Sequence, residues 1–251
     1  VTYTPVVERL AAGRYRATPE ASGPFGTVQG GVLAGLSAVE IMRHASEGFQ
    51  PLSFRAEFLR PTPLGQDLEI VVEKIQEGRR TATFDAVIMT AGKRCVRSTL
   101  TLVLPVQIST LLEPAPAEFT APTLSRRVAS RSPYGGPWLS DRLEAWVDAE
   151  ETLWFRWSVP LCDGDIAFAR TLAPADWTHG IARPNFPGPP PLSAWPNSDL
   201  TVHLDRQPEG EWIGLRPEGR WRSDGVGIGY GELRDRRGPF ARVAVGVVLF
   251  P

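Results

Sequence analysis

Between Gly30 and Ala45 the apolar residues Val32, Leu33, Leu36, Val39, Ile41 and Met42 recur close to helical spacing. The small residues Gly31, Ala34, Gly35 and Ala38 lie between them, so this pattern predicts a largely buried helix beginning near Gly30. Thr27 or Gln29 is placed to cap it. Four strand patterns follow. Leu52 to Leu59 alternates, with Phe54, Ala56 and Phe58 on one face, and Asp67 to Ile75 is rich in β-branched residues. Arg80 to Met89 and Arg94 to Leu104 flank Thr90-Ala91-Gly92-Lys93, a hairpin signal.

The second half repeats the succession. Leu143 to Val147 and Thr152 to Val159 read as strands. Asp163 to Arg170 reads as a helix that can continue past Pro174 to Ile181. Leu200 to Arg206, Trp212 to Trp221, Val226 to Arg234 and Phe240 to Phe250 read as four more strands. A shift of about 146 residues lays Arg60 on Arg206, Gly92 on Gly238 and Pro105 on Pro251, which points to an internal duplication. The expected units are 1–105 and 126–251, joined by a Pro-rich linker over 106–125. A second Pro-rich stretch, Arg183 to Pro196, reads as a loop inside the second unit. An amphipathic antiparallel sheet needs a cover for its apolar face. The expectation is therefore an α+β fold of two curved sheets, each wrapped round a central helix, paired through their sheets or edges.

Composition narrows the function classes. The chain has 251 residues, with 27 Lys plus Arg against 28 Asp plus Glu. That balance argues against a nucleic-acid or anionic-membrane partner. No run approaches the ~20 apolar residues of a membrane span, and residues 1–10 lack a signal-peptide pattern. Cys95 and Cys162 stand far apart, which disfavours a disulfide framework and a zinc site. The expected setting is cytoplasmic, with no metal or organic cofactor. Exposed sheet edges leave room for a homo-oligomer.

Several segments carry a family resemblance over most of the chain. Gln29-Gly30-Gly31-Val32-Leu33-Ala34 resembles the helix start of hotdog-fold thioesterases. Phe58-Leu59-Arg60-Pro61, Glu77-Gly78-Arg79-Arg80-Thr81 and Ser198-Asp199-Leu200-Thr201-Val202-His203-Leu204 resemble segments of the type II acyl-CoA thioesterases. The resemblance implies a double hotdog and hydrolysis of an acyl thioester, usually acyl-CoA. It also implies a catalytic role for Asp199.

Thioester hydrolysis needs an activated water, donors for the carbonyl oxygen and an apolar slot. Asp199 is the candidate base, with Thr201 two residues on to hold the same water; an ordinary turn-capping role for Asp199 stays open. The Gly30 and Gly31 amides at the helix N-terminus are candidate carbonyl donors, although tight helix packing also selects glycine. Gln29 stands where the family's His-Gly-Gly pattern has histidine and is placed to bond the thioester or cap the helix. His179 is a candidate lining residue. Two departures matter. The family's last-strand Gln aligns with Val245, and its Thr or Ser on the preceding strand aligns near Arg220. The helix acid of single-hotdog relatives falls on Ala38, with Glu40 on another face. These departures support a rival reading as a non-catalytic acyl-thioester-binding protein. A second rival, hydration or dehydration of an acyl chain, would rest on Asp176 with His179 at i and i+3.

Overall fold

The computed structural model describes residues 4–111, 126–127, 136–178 and 192–251. Among these residues its spine is one antiparallel sheet of 13 strands with two α-helices. The first half contributes β1 (Val7–Ala11), β2 (Arg14–Ala17), α1 (Gly30–His44), β3 (Gln50–Phe58), β4 (Asp67–Glu77), β5 (Thr81–Thr90) and β6 (Lys93–Val103). The second contributes β7 (Arg126–Arg127), β8 (Leu143–Val147), β9 (Leu153–Trp157), α2 (Ala167–Asp176), β10 (Asn197–Leu204), β11 (Ile213–Trp221), β12 (Val226–Asp235) and β13 (Gly238–Val248).

Strand alternation sets the two faces. Phe54 and Ala56 of β3, Phe84 and Ala86 of β5, Leu200 and Val202 of β10, and Val243 and Val245 of β13 all point to one buried face. Their sequence neighbours point to the other face. The expected pairing of the two halves occurs at β3 and β10, where Leu200 lies opposite Ala56 and Val202 opposite Phe54. The apolar alternation of both strands thus continues across the junction without a break. The order β1-β2-β4-β5-β6-β3-β10-β13-β12-β11-β9-β8-β7 puts this junction in the interior of the sheet.

The helix predicted from Gly30 runs to His44, and Gln29 is its N-cap: the side-chain Oε1 accepts from Val32 N at 2.8 Å. The second helix starts later than expected, at Ala167, and Asp163 to Ile166 form the turn before it. Asp165 organises that turn by accepting from Leu161 N and pairing with Arg170 at 2.7 Å. The expected continuation through Pro174 holds as far as Asp176; residues 179–191 lie outside the described residues. The short strands β1 and β2 are additions to the predicted elements: four of the five β1 residues face solvent, and β2 alternates over only four residues.

The helices lie against each other in opposite directions. Gly31 of α1 meets Leu172, Ala173 and Asp176, while Gly35 meets Ala169 and Leu161. A Cβ on Gly31 would sit 2.6 Å from Ala173 Cα, and one on Gly35 would sit 2.8 Å from Ala169 O. The glycines therefore let the two backbones touch. This contact carries the C-terminus of α2 to the N-terminus of α1.

Candidate active site

The residues at that meeting point form one hydrogen-bonded group around Asp176. Phe168, Leu172 and Asp176 follow one another at four-residue spacing, so the carboxylate emerges from the apolar face of α2. It is 6% exposed. Oδ2 accepts from Gly31 N at 3.0 Å and from Gln29 Nε2 at 2.7 Å. Oδ1 accepts from Asn197 Nδ2 at 2.6 Å, and the same amide donates to the Asp176 carbonyl at 2.8 Å. Asn197 reaches inward because β10 begins with an irregularity: the register with β13 shifts between Asn197 and Asp199.

Burial pushes the Asp176 carboxyl up to about 6, against the opposing pull of the bonds from Asn197 and Gly31 N. The two Asn197 donations also fix the orientation of that amide. Its Oδ1 is left buried without a partner, and an unsatisfied acceptor next to a carboxylate is a place for a water hydrogen. In the first turn of α1, Gly31 N is taken by Asp176, Val32 N by Gln29 Oε1 and Leu33 N by Gln29 O. The Gly30 N–H has no acceptor among the described residues, and Gly30 is half-buried. It is the donor of this turn left free for a ligand oxygen.

Aromatic rings flank the group. The Phe58 ring lies beside Gly30. Trp177, next to the acid, meets Phe155 edge-on at 5.5 Å and Trp138 at 6.5 Å. A cavity of about 290 Å³ lined by Arg156, Trp157, Arg170 and Trp212 lies elsewhere and does not include Asp176.

The sequence-predicted residues divide into two sets. Gln29, Gly30 and Gly31 converge on Asp176. Gln29 caps α1, one of the two roles foreseen for it, while its Nε2 donates to Asp176 and to the Ala173 carbonyl. Asp199 and Thr201 do not join them. They project from the face of β10 opposite to the buried Leu200 and Val202. Asp199 Oδ1 there accepts from Ser198 Oγ at 3.0 Å and Gly246 N at 3.1 Å. The acid expected at a cavity mouth is thus on the outward face, because it alternates with the inward Leu200 in the regular part of β10. Arg220 is also outward and exposed, and the polar partner that Asp176 does have is Asn197, from the start of β10. Val245 is 1% exposed and packs in the core opposite Leu200. Glu40 belongs to another buried group, with the Tyr15 hydroxyl bonded to it and Arg43 at 3.8 Å. His179 lies outside the described residues.

Replacing Gln29 by Ala removes the α1 cap and one donor to Asp176. The expected loss is about 1 kcal/mol of unfolding free energy, read as a lower urea midpoint with unchanged slope.

Comparison with known proteins places this geometry in a class. Similar solved structures include a protein of Novosphingobium aromaticivorans, 18% identical, with TM-score 0.76 over 99% of this chain and 100% of that one. The acyl-CoA thioesterase II TesB2 of Mycobacterium marinum is 16% identical, with TM-score 0.71 over 98% of this chain and 95% of that one. A hot dog fold protein of Alicyclobacillus acidocaldarius is 16% identical, with TM-score 0.72 over 97% and 95%. The fold is therefore a hotdog fold of the α+β class. No curated protein matches the chain significantly. The family model of the acyl-CoA thioesterase N-terminal domain matches residues 18–103, and that of the C-terminal domain matches residues 105–245. The chain belongs to this acyl-CoA thioesterase family. No helix among the described residues is long and apolar enough to cross a membrane.

Proposed function

We propose that the protein hydrolyses an acyl thioester, acyl-CoA being the carrier its family suggests, and that Asp176 activates the water. The observation that carries this reading is the buried Asp176 carboxylate, held by Gly31 N and Asn197 beside a free Gly30 N–H. A water between Asp176 and Asn197 Oδ1 gives one hydrogen to each acceptor and turns a lone pair outward. As its oxygen bonds to the thioester carbon, Asp176 takes one of its protons. The carbonyl oxygen gains charge against the Gly30 N–H at the positive end of α1. The C–S bond then breaks, and the thiolate leaves with a proton returned from the acid. Phe58 and Trp177 offer the apolar neighbours an acyl group needs.

The same reading includes a double hotdog of two repeats, 1–105 and 126–251, joined by 106–125. Strand register supports it. An offset of 145 residues carries the pairs Phe84–Leu100 and Ala86–Ser98 of β5–β6 onto Gly229–Val245 and Gly231–Val243 of β12–β13. It also carries Val72–Ala86 onto Pro217–Gly231.

The test is free-thiol release from a panel of acyl-CoAs as a function of pH. Turnover is expected to rise through about pH 6 as Asp176 ionises. Asp199→Asn is expected to give the same profile within twofold, because that side chain faces away from the group. Loss of turnover in Asp199→Asn would return the outer acid to the mechanism. One observation favours the rival binding reading: Val245 is apolar where the family resemblance expects a water-holding amide. Saturable acyl-CoA binding without thiol release at any pH selects that rival.

A further inference from the structure

The outer face of the second half carries a strip of exposed apolar side chains: Val226, Ile228 and Tyr230 on β12 and Val248 on β13. One cross-strand row runs through it. Arg220 of β11 lies opposite Ile228, Ile228 opposite Gly246 of β13, and Gly246 opposite Asp199 of β10. Two charged members of this row are unpaired: among the described residues, neither Arg220 nor Asp199 has an ion-pair partner, while beyond Asp199 the row continues to Glu57 of β3, which pairs with Arg55. Arg220 and Asp199 stand three strand spacings apart, about 14 Å, too far to meet within one chain.

We infer that this face is the contact surface between two copies of the chain, packed sheet to sheet about a two-fold axis that runs along the strands between β12 and β13. Such a rotation reverses the order across the row. It lays Arg220 of each copy over Asp199 of the other, and Ile228 of each over Gly246 of the other. In the next row Tyr230 lies opposite Ala244 within the sheet, so the rotation sets each tyrosine over the partner's alanine. Large side chains meet small ones, cation meets anion, and the contact is isologous, as a two-fold interface requires. Facing sheets pack at about 10 Å, a gap that a side chain of this size over a glycine or alanine fills. The arrangement also gives Asp199 a role: the Gly246 N and Ser198 hydroxyl bonds hold one carboxylate oxygen in place and leave the other to a guanidinium.

Sedimentation at about 100 µM decides it, since a Kd near 1 µM leaves little monomer at that concentration. The wild type is expected to run as a dimer. Asp199→Arg and Arg220→Asp each place like charges together and are expected to weaken association at least ~100-fold. The double variant carrying both changes restores the pairs in opposite sense and is expected to recover the dimer. Arg220 is exposed and, among the described residues, its side chain makes no hydrogen bond or ion pair, so Arg220→Asp reads the interface even if Asp199→Arg melts early. A monomeric wild type overturns the inference, including the case where another protein occupies the face. So do single variants that dimerise like the wild type, or a double variant, folded by circular dichroism, that stays monomeric.

Discussion

Replacing Asp176 by asparagine is expected to lower acyl-thioester hydrolysis about 1,000-fold, within the range that a positioned general base supplies. The same substitution has a second signature, in stability. The folded protein holds this carboxyl at about 6 against an ordinary value of 3.8, with burial as the chief cause. A raised acid binds its proton more tightly folded than unfolded, so it favours the folded state most below pH 4. That contribution fades as the pH climbs through about 6, by about 3 kcal/mol for a shift of some two units. The difference in urea unfolding free energy between the wild type and Asp176→Asn should show the decline from pH 4 to pH 7. A merely structural acid, stabilised by its three side-chain and backbone donors, would slope the opposite way. A flat difference curve would mean that Asp176 is not held as a desolvated base.

The cost and the chemistry have one cause. An acid that is easily ionised in water is a weak base there. Set on the apolar face of α2 and buried there, it becomes a stronger base at some expense of stability, a trade often found at reacting centres. The donors that reach the Asp176 side chain include Gln29, Gly31 N and Asn197, all of them neutral. An arginine there would hold the carboxylate charged at low pH and remove its affinity for the water proton.

Much of this was legible in the sequence. Alternation at Phe54, Ala56 and Phe58, and again at Leu200, Val202 and Leu204, marked the two strands that join the halves. Gln29-Gly30-Gly31 marked the start of α1. The sequence reading gave Asp176 only to the rival hydration chemistry, although Phe168, Leu172 and Asp176 recur at helical spacing, which puts a carboxylate on a buried face. Asp199 drew the assignment because it opens a strand and carries a family resemblance. Alternation alone could have placed it outward, since Leu200 is an inward position. The inward turn of Asn197 depends on an irregular strand start, which is fixed by pairing with β13 rather than by any local residue. Likewise β1 left no periodic trace, because an edge strand with one buried position out of five has nothing to alternate, and β2 alternates over only four residues.

Gly31 is the residue on which both packing and site depend, and Gly31→Ala is expected to destabilise the protein by about 3 kcal/mol. A Cβ there would lie 2.6 Å from Ala173 Cα and 2.7 Å from Asp176 Cβ, with the Leu172 carbonyl as a third neighbour. These are backbone atoms or atoms fixed to it, so no flexible chain can swing aside. Relief requires α2 to withdraw from α1 by several tenths of an ångström. That movement stretches the Gly31 N to Asp176 bond, now 3.0 Å, and the Gln29 bond beside it. Loss of hydrolysis should therefore exceed what instability explains: at temperatures where Gly31→Ala remains folded by circular dichroism, turnover should still be at least tenfold down, with its pH inflection moved above about 6. Gly65, with open space around its would-be Cβ, provides the contrast in solvent. Its positive φ of 74° confines an alanine penalty there to backbone strain, and the pH inflection of that variant should not move.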